Sequence, residues 1–166
     1  SKDITVFNST ISNNRGVIAG GAFFAKDSVE IEFINSTISN NKMGFTSAGV
    51  EFFASSEDAK MTLLNTVIAN SKSNAGSVDC TKSGSGTLTI DSTSSWVETF
   101  DSGTSCFNGG SVPGSIFRGD PKLGPLKNGV HKPTPESGLL TMGDITICKI
   151  ETFGFRIDAA ANEAGD

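Results

Sequence analysis

The heptapeptide Asn-Ser-Thr-Ile-Ser-Asn-Asn is the feature that most constrains the fold of this chain. It occurs at residues 8–14 and again at 35–41, and a degraded third copy occupies residues 65–71. The copies begin 27 and then 30 residues apart. Self-similarity at a period of roughly 20–50 residues is typical of proteins built from stacked structural repeats. The sequence therefore predicts a fold made of similar units that pack on one another.

The residues before each first asparagine have the pattern of a β-strand. Residues 29–33 read Val-Glu-Ile-Glu-Phe, so apolar and acidic side chains fall on opposite faces of an extended chain. A two-residue period of this kind indicates a half-buried strand. When the copies are aligned on that asparagine, apolar residues coincide, as Ile4 does with Ile31 and Met61. Each repeat is thus predicted to contain a strand that ends near the asparagine.

Six positions in the repeats are predicted to have structural roles. The first asparagine of each copy falls where the chain bends between two short strands, and asparagine tolerates such backbone conformations and bonds locally. The isoleucine three residues later is expected to point inward and fill the core. These positions are Asn8, Asn35, Asn65, Ile11, Ile38 and Ile68.

The fold class follows from the turns between the strands. A glycine-containing stretch and a further apolar run follow each copy, with no helical pattern inside the repeat. A unit of roughly 20–30 residues built this way must stack on its neighbours to bury its apolar face. We predict an all-β fold, a right-handed parallel β-helix (solenoid) of about three to four coils over residues 1–110. Residues 111–166 are predicted to form a less regular C-terminal segment that caps the same domain.

Charge and hydropathy exclude several classes of partner. The net charge is -5 and the isoelectric point is near 4.8, so neither nucleic acid nor an anionic membrane is an expected partner. The sequence has no run of about 18 apolar residues, so no transmembrane segment is predicted. Because the chain begins inside a repeat, we expect adjacent coils of a longer parent chain beside the first coil.

Three cysteines are present, and their spacing does not match a zinc site. Cys80 and Cys106 flank a Gly/Ser/Thr-rich segment and are predicted to form a disulfide, which implies an oxidising compartment. Closing a loop of this length would stabilise the fold by ~3.5 kcal/mol in the chain-entropy model. The alternative is a pair of buried free thiols. Cys148 has no evident partner in either case.

An ordered series of short motifs resembles a known family. The two complete heptapeptides are followed by Val78-Asp79-Cys80, then Trp96, then Cys106, then Gly-Asp-Pro-Lys-Leu-Gly-Pro-Leu at residues 119–126. This series resembles the C-terminal part of bacterial right-handed parallel β-helix repeat proteins, the exported choice-of-anchor or CSLREA-domain type, with polymorphic outer-membrane proteins as distant relatives. The resemblance implies a secreted or cell-surface protein and brings no catalytic residues. Residues 136–144 depart from the family's pattern, of which only Gly143-Asp144 and the following Cys148 are retained.

The search for catalytic residues yields two weak candidates, a pair of carboxylates and a single histidine. Glu32 and Glu51 form the best carboxylate pair for a glycosidase, which needs two facing carboxylates roughly 5–10 Å apart. Glu32 aligns with threonines in the other copies, however, so solvent-facing strand residues are the favoured interpretation. The single histidine, His131, lies in a Pro/Gly-rich stretch and is interpreted as a solvated loop side chain. No catalytic, cofactor-binding or metal-binding residue is therefore predicted.

Acidic residues in turns offer a second kind of site. Asp27, Glu57 and Asp58 precede the strands that lead to each asparagine, and stacked turns of this kind can bind calcium. A solvated turn is the favoured alternative, because a lysine accompanies Asp27 and the glycine-aspartate repeats of calcium-binding β-rolls are missing. Asp79 and Asp120 are interpreted as turn-forming residues.

Two further patterns have a functional and a structural interpretation. Asn8-Ser9-Thr10 and Asn35-Ser36-Thr37 match the N-glycosylation pattern, but both belong to the structural repeat. The adjacent phenylalanines at 23–24 and 52–53 would each direct one ring outward. Such rings would bind sugars or a partner protein, or lie beneath the C-terminal segment through residues such as Leu139 and Leu140. Covering by that segment is the favoured interpretation.

These observations together favour a non-catalytic structural or adhesive β-helix segment of an exported bacterial surface protein. The alternative is a fragment of a carbohydrate-active enzyme, a polysaccharide lyase or glycosidase, or a glycan-binding β-helix. The expected partners are glycans or other surface proteins, with no cofactor. The expected location is secreted or at the cell surface, outer membrane or extracellular.

Overall fold

The computed structural model describes residues 2–18, 20–44, 49–54, 57–74, 76, 79–99, 106–107, 115–142, 151–152 and 155–156. These residues form short β-strands joined by turns, with one 3-10 helix (Gly138–Thr141) and no α-helix among them. The all-β prediction is therefore confirmed for this part of the chain.

Most strands belong to four small parallel sheets, named A to D in the order in which the chain enters them. Sheet A contains β1 (Lys2–Phe7), β5 (Val29–Ile34), β9 (Ala59–Leu64) and β13 (Leu88–Thr93). Sheet B contains β2 (Thr10–Ser12), β6 (Thr37–Ser39), β10 (Val67–Ala69), β14 (Ser95–Val97) and β15 (Ile116–Phe117). Sheet C contains β3 (Arg15–Gly16), β7 (Lys42–Met43) and β11 (Lys72–Ser73). Sheet D contains β4 (Phe23–Lys26), β8 (Val50–Phe53) and β12 (Cys80–Ser83).

The chain passes through the sheets in the same order each time. We call β1–β4 the first repeat, β5–β8 the second, β9–β12 the third and β13–β14 the fourth. Every pairing within sheets A to D is parallel and joins a strand to its counterpart in the next repeat, except that β15 adds to β14. All four sheets therefore extend in the same direction, which is the direction in which the repeats stack.

The register of the sheets places equivalent residues of the repeats next to each other. In sheet A, Ile31 pairs with Ile4 on one side and Met61 on the other, which is the alignment that the sequence repeat gives. In sheet B, Ile38 lies between Ile11 and Ile68 in the same way. A fourth, sequence-divergent repeat continues both series, with Ile90 beside Met61 and Val97 beside Ile68.

Sheets A, B and D share one apolar core. Phe33, Ile38 and Phe52 represent the three sheets in it, and each is 0% exposed. Burying a side chain of this size contributes about 1.5–3 kcal/mol. The first repeat lies at the end of the stack and is less protected, since Ile4 is 38% exposed.

A disulfide joins Cys80 and Cys106, the pair that the sequence predicted, with a Cα–Cα distance of 5.4 Å. Both residues are buried in the shared core. The Cys106 amide also donates to the Cys80 carbonyl oxygen at 3.1 Å, so Cys106 continues sheet D beyond its last strand. The disulfide therefore lies at the end of the stack opposite β1. Cys148 lies outside the described residues.

The described C-terminal residues leave the repeat pattern and fold back onto sheet B. β16 (Leu123–Lys127) and β17 (Val130–Pro133) form an antiparallel hairpin, and the 3-10 helix follows it. Leu123, Leu139 and Met142 pack against Val67 and Trp96 on the outer face of sheet B. A last antiparallel pair consists of β18 (Glu151–Thr152) and β19 (Phe155–Arg156). The proposed division at residue 110 stays a prediction.

Candidate binding cleft

A cleft of about 280 Å³ separates the outer face of sheet B from the hairpin and the 3-10 helix. One wall comes from the repeats and is mainly polar, and the other comes from the C-terminal segment and is mainly apolar. The polar wall includes Asn8, Ser9, Thr10, Asn35, Ser36, Thr37, Asn65, Ser94 and Ser95. The remaining lining residues are Val67, Trp96, Phe117, Leu123, Val130, His131, Pro133, Leu139 and Met142.

An asparagine column runs along the polar wall at the corner between sheets A and B. Asn8, Asn35 and Asn65 have φ angles of 43°, 47° and 46°, and Ser94 takes the same place in the fourth repeat with 48°. Asparagine is among the few residues that adopt this left-handed conformation readily, because its short polar side chain bonds locally. The Asn65 Nδ2 donates to Asn35 Oδ1 at 3.2 Å, which links two repeats. The column therefore turns the chain and lines one side of the cleft, with the Asn35 Nδ2 buried inside the column.

A hydroxyl column lies beside the asparagines. Ser36 donates through Oγ to the Ile34 carbonyl oxygen at 2.8 Å and accepts the Ser9 amide of the preceding repeat at 3.3 Å. Ser95 makes the same pair of bonds, to the Thr93 carbonyl and from the Thr66 amide. Sequence reasoning missed this role, because the residues after each asparagine were considered only as part of a glycosylation pattern. The signal was a Ser or Thr after the asparagine in all three copies.

A second left-handed corner, between sheets B and C, was also missed. Asn13, Asn40 and Asn70 have φ angles of 59°, 57° and 58°. The next residue bonds across the repeats: Asn41 is 0% exposed and accepts the Asn14 backbone amide at 3.0 Å. Its Nδ2 donates to the Ile11 carbonyl oxygen at 2.9 Å. The Asn-Asn ending of the heptapeptide was the available signal, since one residue turns the chain and the other satisfies the backbone.

His131 holds the hairpin against the first repeat. Its Nδ1 lies 2.8 Å from the Gly124 carbonyl oxygen, which only accepts, so Nδ1 carries a proton and donates. Its Nε2 lies 2.9 Å from Ser12 Oγ and 3.4 Å from Asn40 Nδ2. The Asn40 amide nitrogen only donates, so Nε2 accepts and the Ser12 hydroxyl donates to it. The prediction of a solvated loop histidine is wrong: His131 is 7% exposed, because β17 packs on sheet B.

The apolar wall is built around the single tryptophan. The ring of Trp96 lies 5.7 Å from that of Phe117, centroid to centroid, and its Nε1 donates to the Gly119 carbonyl oxygen. Gly138 of the 3-10 helix approaches so closely that a Cβ there would lie 3.1 Å from the tryptophan ring. The glycine thus allows the C-terminal segment to lie directly on Trp96.

The cleft is electrically neutral, although carboxylates lie nearby. Of the described residues that line it, none carries a carboxylate, ammonium or guanidinium group. Glu98, outside the lining, accepts the Asn70 amide at 2.6 Å, and burial raises its pKa. Burial likewise raises the pKa of Asp79, which accepts the amides of Ser71 and Thr99 at 2.9 and 2.8 Å. Asp79 therefore bonds backbone amides, as a turn-forming residue does, but from a buried position.

The remaining sequence candidates do not converge on one site. Glu32 lies in sheet A between Thr5 and Thr62, whereas Glu51 lies in sheet D between Phe24 and Thr81.

The turn carboxylates instead bond to neighbouring repeats. Glu57 accepts the Ser28 hydroxyl at 2.5 Å, and Asp58 accepts the Thr87 amide and hydroxyl, bonds that lower the Asp58 pKa. Asp120 forms an ion pair with Lys122, which lowers the pKa of Asp120. In the described part of the chain, no group of three or more His, Cys, Asp or Glu side chains is placed to hold a metal ion.

Of the two outward phenylalanines, Phe24 is not covered as predicted, whereas Phe53 is half-buried. Phe24 is 44% exposed on sheet D, while Leu139 packs on the Trp96 cluster of sheet B and Leu140 is exposed. The outer face of sheet B attracts the segment because its central column changes along the stack. Thr10 and Thr37 are followed in that column by Val67, Trp96 and Phe117, which form the apolar end.

Comparisons of the chain with family models, curated proteins and solved structures found no match. Within the described residues, no helix has the length and hydropathy needed to cross a lipid bilayer.

Proposed function

We propose that the chain is a non-catalytic structural or adhesive segment of an exported bacterial surface protein, built as a right-handed parallel β-helix. The observation that carries the proposal is the use of polar side chains at the corners to join one repeat to the next. Asn41, Ser36 and Asn65 each bond to a neighbouring repeat. Polar groups that bond between repeats stabilise the stack, and a long surface scaffold needs a stable stack.

The β-helix part of the proposal rests on chain order and on a general rule of handedness. Each of the first three repeats visits sheets A, B, C and D in turn before the chain pairs again in sheet A. Crossovers between parallel strands of one sheet are right-handed in about 98% of cases. The resemblance of the motif series to bacterial β-helix repeat proteins points the same way.

Two features support export and end-to-end assembly. A disulfide such as Cys80–Cys106 persists in oxidising compartments and is rare in the cytosol. The first repeat supplies the end strand of all four parallel sheets, and the apolar side chains of Ile4 and Phe24 are exposed there. Unpaired strand edges readily accept another strand. The partner proposed for this end is an adjacent coil of a longer parent chain.

The carbohydrate-active enzyme remains the alternative proposal. It gains no support from the pair that the sequence suggested, since Glu32 and Glu51 belong to different sheets and have no carboxylate beside them in register. A catalytic site would have to use residues other than this pair.

The location is tested in the source bacterium with an antibody against residues 2–99. Protease treatment of intact cells should remove the epitope, and mass spectrometry of unreduced peptides should recover Cys80 joined to Cys106. An epitope accessible only after lysis, with both thiols free, would contradict export. Release of reducing sugars or unsaturated uronates by the purified chain would contradict a non-catalytic role.

A further inference from the structure

The cleft beneath the hairpin has two walls of different chemistry. The repeat wall carries Asn8, Asn35 and Asn65, one for each of the first three repeats, at a spacing of ~4.8 Å along the stack. The opposite wall carries aliphatic side chains such as Leu123, Val130 and Leu139. A ligand that fits must therefore be polar along one edge and apolar on one face.

The charge of the lining restricts the ligand further. The chain has a net charge of -5, yet no carboxylate, ammonium or guanidinium group is among the described residues that line the cleft. A charged ligand would lose its hydration there without gaining an ionic partner, which is strongly unfavourable. The cleft therefore selects an uncharged ligand.

The polar wall matches hydroxyl groups better than it matches a peptide backbone. An asparagine amide offers donor and acceptor atoms together, as a hydroxyl group does. An extended peptide, by contrast, binds by adding to an open strand edge. The central strands behind this wall, β6 and β10, are already paired on both sides, so their backbone groups are used.

The cleft is also preorganised. The Asn65–Asn35 bond fixes two side chains of the column, and the left-handed corners fix the backbone of all three asparagines. The bonds of His131 to Ser12 and Gly124 hold the opposite wall in place. Little conformational entropy remains to be lost on binding, so weak individual contacts suffice.

We propose that this cleft binds a short segment of a neutral oligosaccharide, with sugar hydroxyls on the polar wall around Asn65 and a C–H ring face on the aliphatic wall. A volume of about 280 Å³ is at the small end of ligand sites and suits one or two sugar rings. The binding role goes beyond the scaffold proposed above and does not depend on it.

The test uses the full chain and three sets of probes: neutral gluco- and chito-oligosaccharides of two to four units, uronate oligosaccharides, and an uncharged peptide. Binding is measured by saturation-transfer NMR and titration calorimetry. At least one neutral saccharide series should bind, with the uronates much weaker. Preference for the uronates or for the peptide would overturn the proposal, as would no binding in any set.

A matched pair of substitutions separates the site from the fold. Asn65→Gly removes an amide from the cleft, whereas Asn70→Gly removes one from the second corner of the same repeat. Glycine accepts the left-handed conformation at both positions, so both variants should keep the wild-type circular dichroism. Asn65→Gly should weaken saccharide binding about fivefold, the loss of one hydrogen bond, and Asn70→Gly should leave it unchanged. Equal effects of the two substitutions would contradict the assignment.

Discussion

At the scale of single residues, the corners of the repeats are built by small polar side chains with separate tasks. Asparagine takes the left-handed position, a conformation that costs most other residues about 1–2 kcal/mol. The hydroxyl residue after it donates to a backbone carbonyl of its own repeat and accepts a backbone amide of the preceding repeat. These bonds matter because a buried amide or carbonyl left without a partner costs about 1–3 kcal/mol. The polar side chains at the corners are therefore a substantial part of the stability of the stack.

Two buried serines in the second repeat test this view. Ser36→Ala removes the hydroxyl that serves the Ser9 amide and the Ile34 carbonyl, so the free energy of unfolding should fall by about 1–3 kcal/mol. Ser39→Ala is the matched control: Ser39 is 0% exposed, and its Oγ has no hydrogen-bond partner among the described residues. Its substitution should be neutral or slightly stabilising. Denaturant unfolding measures both, and equal losses would argue against the hydroxyl column.

At the scale of elements, the hairpin and the 3-10 helix are held on sheet B by contacts of two kinds. His131 supplies hydrogen bonds to the first repeat, and Trp96 supplies an apolar surface in the fourth. The segment thus spans several repeats and encloses the cleft between its two points of attachment. Loss of either attachment would open the cleft without removing any strand from sheets A to D.

The close contact of Gly138 with Trp96 makes this docking measurable. In Gly138→Ala, the added methyl group would lie about 3.1 Å from the indole ring, and overpacking of this kind costs about 1–3 kcal/mol. We expect a red shift in the fluorescence of the single tryptophan and a lower melting temperature. Leu140→Ala, at an exposed position of the same helix, is the control and should change neither. An unshifted spectrum in Gly138→Ala would mean that the contact does not hold the segment.

At the scale of the whole molecule, the fold behaves as a one-dimensional stack. Each strand of sheets A to D pairs only with the adjacent layers of the stack, so stability is expected to be a sum over repeats and their interfaces. The two ends differ. The first repeat has exposed apolar side chains, whereas the disulfide closes the other end beyond β12.

Removal of the disulfide should therefore act locally as well as globally. Cys80→Ser combined with Cys106→Ser should lower the free energy of unfolding by ~3.5 kcal/mol, the loop-closure value. Hydrogen exchange should increase most in β12 and β13, and much less in β5. Cys148→Ser, which leaves the Cys80–Cys106 bond intact, serves as the control. A uniform increase in exchange along the chain would contradict a stack with local stability.

The sequence by itself determined the repeat, and with it most of the strand register. The pairing of Ile38 with Ile11 and Ile68, for example, follows from similar residues with similar local preferences at a fixed spacing. The disulfide pair was also identified from sequence. The second left-handed corner was missed although its signal was present, because the asparagines that end the heptapeptide were assigned no role.

Only the tertiary structure decided where the C-terminal segment packs, and therefore that a cleft exists. Ser12 and His131 are separated by 119 residues, and the local sequence around either one does not predict contact with the other. Their contact depends on the outer face of sheet B, whose apolar end forms only after four repeats have stacked and placed Val67 beside Trp96. The periodic part of the chain was predictable because each repeat forms the same interactions as the one before it. The segment that packs across the repeats makes its contacts once, so its position is set by the surface that the stack has already built.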